Sequence, residues 1–340
     1  MNSLNVIDVS ALVYVGSTSE WFRERSNFGF PVGGIHFLLR QLCVSFVSSD
    51  SVVLCFDSPS FRSDLLTGYK AGRVHNPTVY SQLEFLYDGL MGCGIQCEKY
   101  DQYEADDIVS WAVEQNKGKY NEIVIVGNDH DLCHNVQNDV RFKSIDASSS
   151  FVHQGNFEEN VDRTYTKFNT ISAKKALCGC RSDSIPAMTL ENGMEGSEVY
   201  QQYCDFLNEK QCYDWQNTSR WELLWYFARN QPYFSENDLK NLETRLNLTF
   251  PSACPEGVTV KPITWFDVNQ EKFFKFLTMV NDYDSLKCFG AQRVQLSEDD
   301  KQMLRERAKS LANGEYAADK NLEADTKIET MNLDFFTKEF

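Results

Sequence analysis

Three short apolar runs in this chain each stop on an aspartate: Val6-Ile7-Asp8, Val52-Val53-Leu54-Cys55-Phe56-Asp57, and Ile123-Val124-Ile125-Val126-Gly127-Asn128-Asp129, with Asp131 following. Runs this short and rich in β-branched residues, separated by stretches of helical periodicity, predict buried strands of a largely parallel sheet. Parallel strands finish at a common edge, where open α/β sheets bind their ligands. Asp8, Asp57 and Asp129 are therefore expected to meet there.

A further acidic group lies at Tyr103-Glu104-Ala105-Asp106-Asp107-Ile108, three carboxylates in four residues. Read alone, Asp101-Gln102-Tyr103-Glu104 has the spacing of a capping box, and acids suit the first turn of a helix. Ala105, Ile108, Val109, Ala112 and Val113 recur at helical spacing, so this helix buries one face and begins beside its own acids. Gathered at one sheet edge, so many carboxylates raise one another's pKa unless cations neutralise them. Hard oxygen donors suit Mg2+ or Mn2+, and paired ions roughly 3.5–4 Å apart activate water and stabilise a leaving oxygen in phosphodiester hydrolysis.

After Asp57 come Phe61-Arg62 and Tyr69-Lys70-Ala71-Gly72-Arg73. Arg62, Lys70 and Arg73 are expected to hold phosphates, and Tyr69 to stack on an unpaired base. Residues Tyr80 to Tyr87 predict an amphipathic helix, either a mobile cover over the site or, as the sequence slightly favours, a helix packed permanently on the sheet. Upstream, Gly29 to Gly34 reads as a turn into a core-facing helix that carries a structural His36. Aromatics at helical spacing from 199 to 290 predict a second, mainly helical core, with 251–262 as a connecting loop.

A formal net charge of −16 argues against a generally basic nucleic-acid coat, so positive charge must be local. Eleven cysteines without an amino-terminal signal pattern indicate thiols in a reducing compartment, and no apolar run is long enough for a membrane span. A cytoplasmic location is expected.

In order, these motifs resemble those of the structure-specific 5′ nucleases: flap endonucleases, bacteriophage 5′ exonucleases and the 5′ nuclease domain of bacterial DNA polymerase I. The resemblance rests on Val6-Ile7-Asp8, Phe56-Asp57, Phe61-Arg62, Tyr69-Lys70-Ala71-Gly72-Arg73, Glu104-Ala105-Asp106-Asp107-Ile108, Asp129-His130-Asp131-Leu132 and Ser182-Asp183-Ser184-Ile185-Pro186. It implies an α/β, PIN-like nuclease core over 1–165, with a central, largely parallel sheet. A mainly helical subdomain with a divergent helix-hairpin-helix would follow over 166–295, and an acidic tail over 296–340. The implied activity is 5′-3′ exonuclease or flap endonuclease cleavage of branched or 5′-ended DNA, or of RNA-primed DNA, in replication or repair. The implied source is a bacteriophage or similar replication system, acting then in host cytoplasm.

The same resemblance implies two Mg2+ or Mn2+ ions, with Asp8, Asp57, Glu104 and Asp106 around one, and Asp129, Asp131 and Asp183 toward the other. Asp107 would be a ligand or a support behind the ligands. Lys70 would stabilise charge at the scissile phosphate, Tyr69 would position the terminal nucleotide, and Arg73 would support the phosphate path. Two departures stand out. Cys180 occupies the place of a common acidic ligand three residues before Asp183, and its soft thiolate suits magnesium poorly, so the second ion would bind weakly or through water. The hairpin at 185–197 is long and places acids where lysine would help. Together they motivate a second reading, a nuclease-fold protein with weakened catalysis that binds branched DNA or a replisome partner. Finally, Asn332-Leu333-Asp334-Phe335-Phe336 resembles peptides that dock on sliding clamps, although the phenylalanines could equally cover this protein's own surface.

Overall fold

The computed structural model describes residues 3–20, 22–48, 50–137, 139–145, 151–152, 170–210 and 220–314. The expected boundary at 165 and the clamp-like peptide at 332–336 lie outside them. The three aspartate-tipped runs lead the sheet as β1 (Ser3–Asp8), β4 (Ser51–Cys55) and β6 (Glu122–Gly127), after a small ribbon of β2 (Ser26–Asn27) and β3 (Phe30–Pro31). With β5 (Cys97–Glu98), β7 (Val140–Ser144) and β8 (Phe151–Val152) they form a six-stranded sheet ordered β5-β4-β1-β6-β7-β8. Every neighbouring pair is parallel except β7 with β8. The register sets Asp8 beside Cys55 and Ile7 beside Val126, so β1, β4 and β6 end level with one another. The expected α/β fold with a largely parallel sheet is the fold observed.

Strand alternation divides the core into two layers. Leu4, Val6, Val53, Cys55, Ile123 and Ile125 face α5 (Ala105–Asn116), whose buried Ala105, Ile108, Val109, Ala112 and Val113 are the residues its periodicity marked. Ile7, Val52, Leu54, Val124 and Val126 face the opposite layer, built from α1 (Val9–Thr18), α2 (Gly33–Val47) and α4 (Pro77–Gly92). Helix α4 is packed rather than poised as a cover. Its Phe85, Leu86 and Leu90 are buried, and Gln82 accepts the Gly34 N–H at 2.8 Å while donating to Ser17 Oγ at 2.9 Å. Only an 11-residue link, 66–76, joins α3 (Arg62–Leu65) to it.

The helical remainder splits in a way that sequence order hides. Helices α6 (Ile171–Cys178), α7 (Gly196–Lys210), α8 (Arg220–Arg229) and α9 (Glu236–Thr249) share a separate core containing Leu177, Tyr203, Phe227 and Leu246. Arg245 staples its hairpin by donating to the carbonyls of Ala176, Pro186 and Ala187. The chain then returns to the first core through α10 (Gln270–Met279), α11 (Tyr283–Cys288) and α12 (Glu298–Ala312), contributing Phe273, Phe276, Leu277, Leu286 and Leu304. Thus the block expected to run to 295 divides near 250. The tail expected from 296 opens with a packed helix, because Met303, Leu304 and Ala308 form an apolar stripe among its charges. Among the described residues, no helix is long and apolar enough to cross a membrane.

The first layer depends on close helix crossing. A Cβ on Gly16 of α1 would lie 2.5 Å from Phe37 Cβ and 2.8 Å from Gly34 Cα on α2. Gly16→Ala is therefore expected to lower stability by about 1–3 kcal/mol, the usual cost of overpacking. Urea unfolding checks this through a lower midpoint at unchanged slope.

Candidate active site

Each acid at the sheet edge is placed by a short local motif. Asp8 caps α1, accepting the Ala11 N–H at 3.1 Å. Asp57, just past β4, accepts the Ala105 N–H at 2.8 Å and so holds the start of α5 against the sheet. Asp129 follows β6 and accepts the Asp131 N–H at 2.9 Å as the 3-10 turn His130–Asn135 begins. Asp106 projects from the first turn of α5. The electrostatic consequence is large. Burial, with Asp57 and Asp129 nearby, pushes Asp8 up to about 7. Burial, with Asp129 and Asp8 nearby, pushes Asp106 well above the usual carboxylate range. Among the described residues no ion pair engages Asp8, Asp57, Asp106 or Asp129.

The remaining acids are already matched by cations. Asp107 is fully buried and takes both guanidinium arms of Arg62, at 2.7 and 2.8 Å, together with the N–H groups of Ser252 and Glu104. Although burial opposes it, these donors hold Asp107 below its ordinary pKa. Two expectations change here. Arg62 is 3% exposed, also donates to the Phe250 carbonyl, and has no arm free for a phosphate. Asp107 supports the start of α5 and is not an open metal ligand. The capping box expected at Asp101–Glu104 sits three residues later, on Glu104 and Asp107, because the arginine fixes Asp107 there.

Glu104, expected as a ligand of the first ion, is shared by three side-chain donors. It accepts from Lys70 Nζ at 2.6 Å, Tyr69 Oη at 3.2 Å and Arg62 at 3.3 Å. Lys70 takes a left-handed backbone (φ 55°), and its N–H donates to the Asp183 carbonyl at 3.1 Å. For a non-glycine residue that conformation costs on the order of 1 kcal/mol and persists only where surroundings impose it. Tyr69 is half-buried with Lys70 Nζ 5.1 Å from its ring centroid, which leaves less of the ring open to a base than its sequence position implied. A stacked pair, His75 on Tyr80, with centroids 4.2 Å apart, lies at the start of α4, within electrostatic reach of Asp57, Arg73 and Lys70. Tyr80 is 48% exposed.

The third group is Asp131 and Asp183. Arg73 reaches Asp183 Oδ1 at 2.8 Å, while Lys175 on α6 pairs with Asp131 Oδ2 and, at 3.0 Å, with Asp183 Oδ2. Cys180 Sγ also lies 3.2 Å from Asp183 Oδ2. Burial, with Asp129 nearby, raises Asp131 to about 7 despite Lys175. Asp183, by contrast, is pulled well below the carboxylate range by Lys175 against the opposing effect of burial. Sequence reading passed over Lys175. Its signal was the Cys178-Gly179-Cys180 turn, which folds a helix carrying a lysine back toward Asp183.

The donor set of Asp8, Asp57, Asp106 and Asp129 is all hard oxygen and, among the described residues, none of the four forms an ion pair, which fits a divalent ion such as Mg2+ or Mn2+. Among the described residues no group of three or more Asp, Glu, His or Cys side chains is set to enclose an ion.

Comparison with known proteins agrees with the resemblance. Residues 3–163 match the family model described as 5′-3′ exonuclease, N-terminal resolvase-like domain. DNA polymerase I of Streptococcus pneumoniae is 29% identical over 170 residues, covering 48% of this chain and 18% of that protein. DNA polymerase I of Caldicellulosiruptor bescii is 24% identical over 250 residues, covering 72% of this chain and 28% of that protein. This chain therefore spans under a third of the length of these curated relatives. Among solved structures, a bacteriophage T5 flap endonuclease in a complex with DNA and metal ions shares the fold. Its TM-score is 0.50 at 14% identity, covering 91% of this chain and all of that one.

Two outcomes follow from this geometry. Removing one partner of the buried Arg62–Asp107 pair strands a charge, so Arg62→Ala is expected to cost about 3–5 kcal/mol of folding stability, measured by denaturant unfolding. The pH dependence has the opposite sign from that of a paired carboxylate. Asp8, which forms no ion pair among the described residues, is raised to about 7, so folding favours its protonated form, and chelator-treated protein loses stability as pH rises from about 4 through about 7. Thermal melts should show Mg2+ raising the midpoint more at pH 8 than at pH 5.

Proposed function

We propose that this chain, whose residues 3–163 match the family model of the 5′-3′ exonuclease N-terminal, resolvase-like domain, is a divalent-metal-dependent phosphodiester hydrolase acting near 5′ ends of DNA. The observation that carries this reading is the set of four carboxylates at the carboxyl edge of the parallel sheet, none in an ion pair among the described residues, with Lys70 within electrostatic reach. Mg2+ or Mn2+ held there would supply activation of water and charge stabilisation on the phosphate and leaving oxygen.

The chain's own groups have separable tasks in this reading. Asp8, Asp57, Asp106 and Asp129 hold the cation, each kept in place by a backbone donor or by the first turn of α5. Glu104 orients the Lys70 ammonium and, against burial, keeps it protonated, so that a permanent positive charge meets the scissile phosphate. Removing such an oriented stabiliser typically costs on the order of 10²–10³ in kcat, the loss expected for Lys70→Ala. Arg73 is half free of Asp183 and exposed, which suits a contact along the phosphate path.

The stacked His75–Tyr80 pair offers the unpaired base a platform better than Tyr69 does, because Tyr80 is open to solvent beside the site. Stacking of this kind contributes ~1–3 kcal/mol per base. Tyr80→Ala should therefore weaken binding of substrates with single-stranded 5′ ends about 5-fold or more, with Mg2+-dependent stability unchanged. Removal of such ends belongs to replication and repair, and RNA-primed DNA presents the same 5′ phosphodiester chemistry.

One observation favours the alternative of a DNA-binding protein with weakened catalysis: Asp131 and Asp183 are occupied by Lys175 and Arg73. The deciding experiment incubates the protein with 5′-flap, nicked and single-stranded DNA labelled at either end, in Mg2+, Mn2+ or chelator, beside Asp57→Asn. Metal-dependent release from the 5′ side, lost in Asp57→Asn, is the expected result. Tight binding of branched DNA without cleavage in either metal would favour the alternative.

A further inference from the structure

The cations around Asp183 leave little to coordinate with. Arg73 uses one carboxylate oxygen, Lys175 the other, and the Lys175 ammonium spans from there to Asp131. Neither lysine nor acid is loosely held, since the Lys175 side chain is 15% exposed and that of Asp183 is 9%. The backbone closes the arrangement, with the Lys70 N–H on the Asp183 carbonyl and Cys180 bridged to Ile185 through paired backbone bonds of 2.8 Å. Cys180 Sγ also lies 3.2 Å from Asp183 Oδ2, and its sulfur is a poor ligand for a hard ion.

We infer that Lys175 is the resident cation of the Asp131–Asp183 cluster, occupying the place a second divalent ion would need, so that the DNA-free protein binds one divalent ion and not two. Two cations competing for the same pair of carboxylates repel strongly in a partly enclosed site, and Lys175 is covalently present at every metal concentration. The charge supplied there is then fixed in amount and position by the fold. Lys175 is in this respect a positioning residue: it holds Asp131 beside Asp129 and keeps the hairpin after α6 docked against the sheet edge.

This inference rests on the metal-dependent reading above but concerns only how many ions the apo protein takes. The test is Mn2+ titration of the full chain without DNA, counting bound ions by electron paramagnetic resonance, for the wild type, Lys175→Met and Lys175→Arg. The expected counts are one, two and one, because methionine frees Asp131 and the Asp183 oxygen that Arg73 does not use, while arginine keeps a cation on them. Circular dichroism establishes that each variant is folded. Two ions in the wild type would overturn the inference alone, even if Lys175→Met failed to fold. A count of one in folded Lys175→Met would overturn it too. No ion in any of the three would overturn the metal-dependent reading itself, and this one with it.

Discussion

Repulsion among carboxylates at the edge of a parallel sheet is the constraint to which the rest of this molecule answers. Register fixes it: with Asp8 level with Cys55 and Ile7 level with Val126, the acids beyond β1, β4 and β6 cannot be spread without sliding strands and turning their side chains to the other face. The fold resolves the repulsion differently at three places. Asp107 receives a bidentate arginine, Glu104 a lysine, and Asp183 a lysine and an arginine together. Among the described residues, Asp8, Asp57, Asp106 and Asp129 enter no ion pair, and two of them rise far from the usual carboxylate range. The uncompensated group is where an external cation has a reason to bind.

The Arg62–Asp107 pair makes that division possible. A buried ion pair is not a source of stability in itself, because the charges lose their hydration. What it contributes is placement. Through Arg62 to Phe250 and Asp107 to Ser252, the start of α5 is tied to the segment leaving α9, so the helical block and the sheet edge are fixed to one another. Lys70 and Arg73 then reach across the same junction from the short link before α4, and the left-handed turn at Lys70 becomes tolerable because Asp183 accepts its N–H.

Much of this was legible in the sequence wherever local pattern and tertiary role coincide. The aspartate-tipped runs gave parallel strands, and the α5 periodicity marked Ala105, Ile108, Val109, Ala112 and Val113, all of them buried, while missing Trp111, which is buried too. Reading failed where chemistry depends on a partner distant in sequence. Arg62 and Arg73 look alike as basic residues after Asp57, yet one lies buried against Asp107 and the other is exposed beside Asp183, a difference set 45 and 110 residues away. Lys175 was passed over because its partner Asp131 lies 44 residues away and Asp183 is reached only through the turn after α6, and α12 looked like a tail because its charges outnumber its apolar stripe. The stacked His75–Tyr80 pair likewise needs the first turn of α4 to bring the two rings together.

The most direct measurement is the anomalous scattering of Mn2+ in crystals of this protein. The account predicts a peak among the carboxylates of Asp8, Asp57, Asp106 and Asp129, lost on replacing Mn2+ with chelator. Manganese found only elsewhere, with those four acids bound to one another or to protein cations, would contradict it.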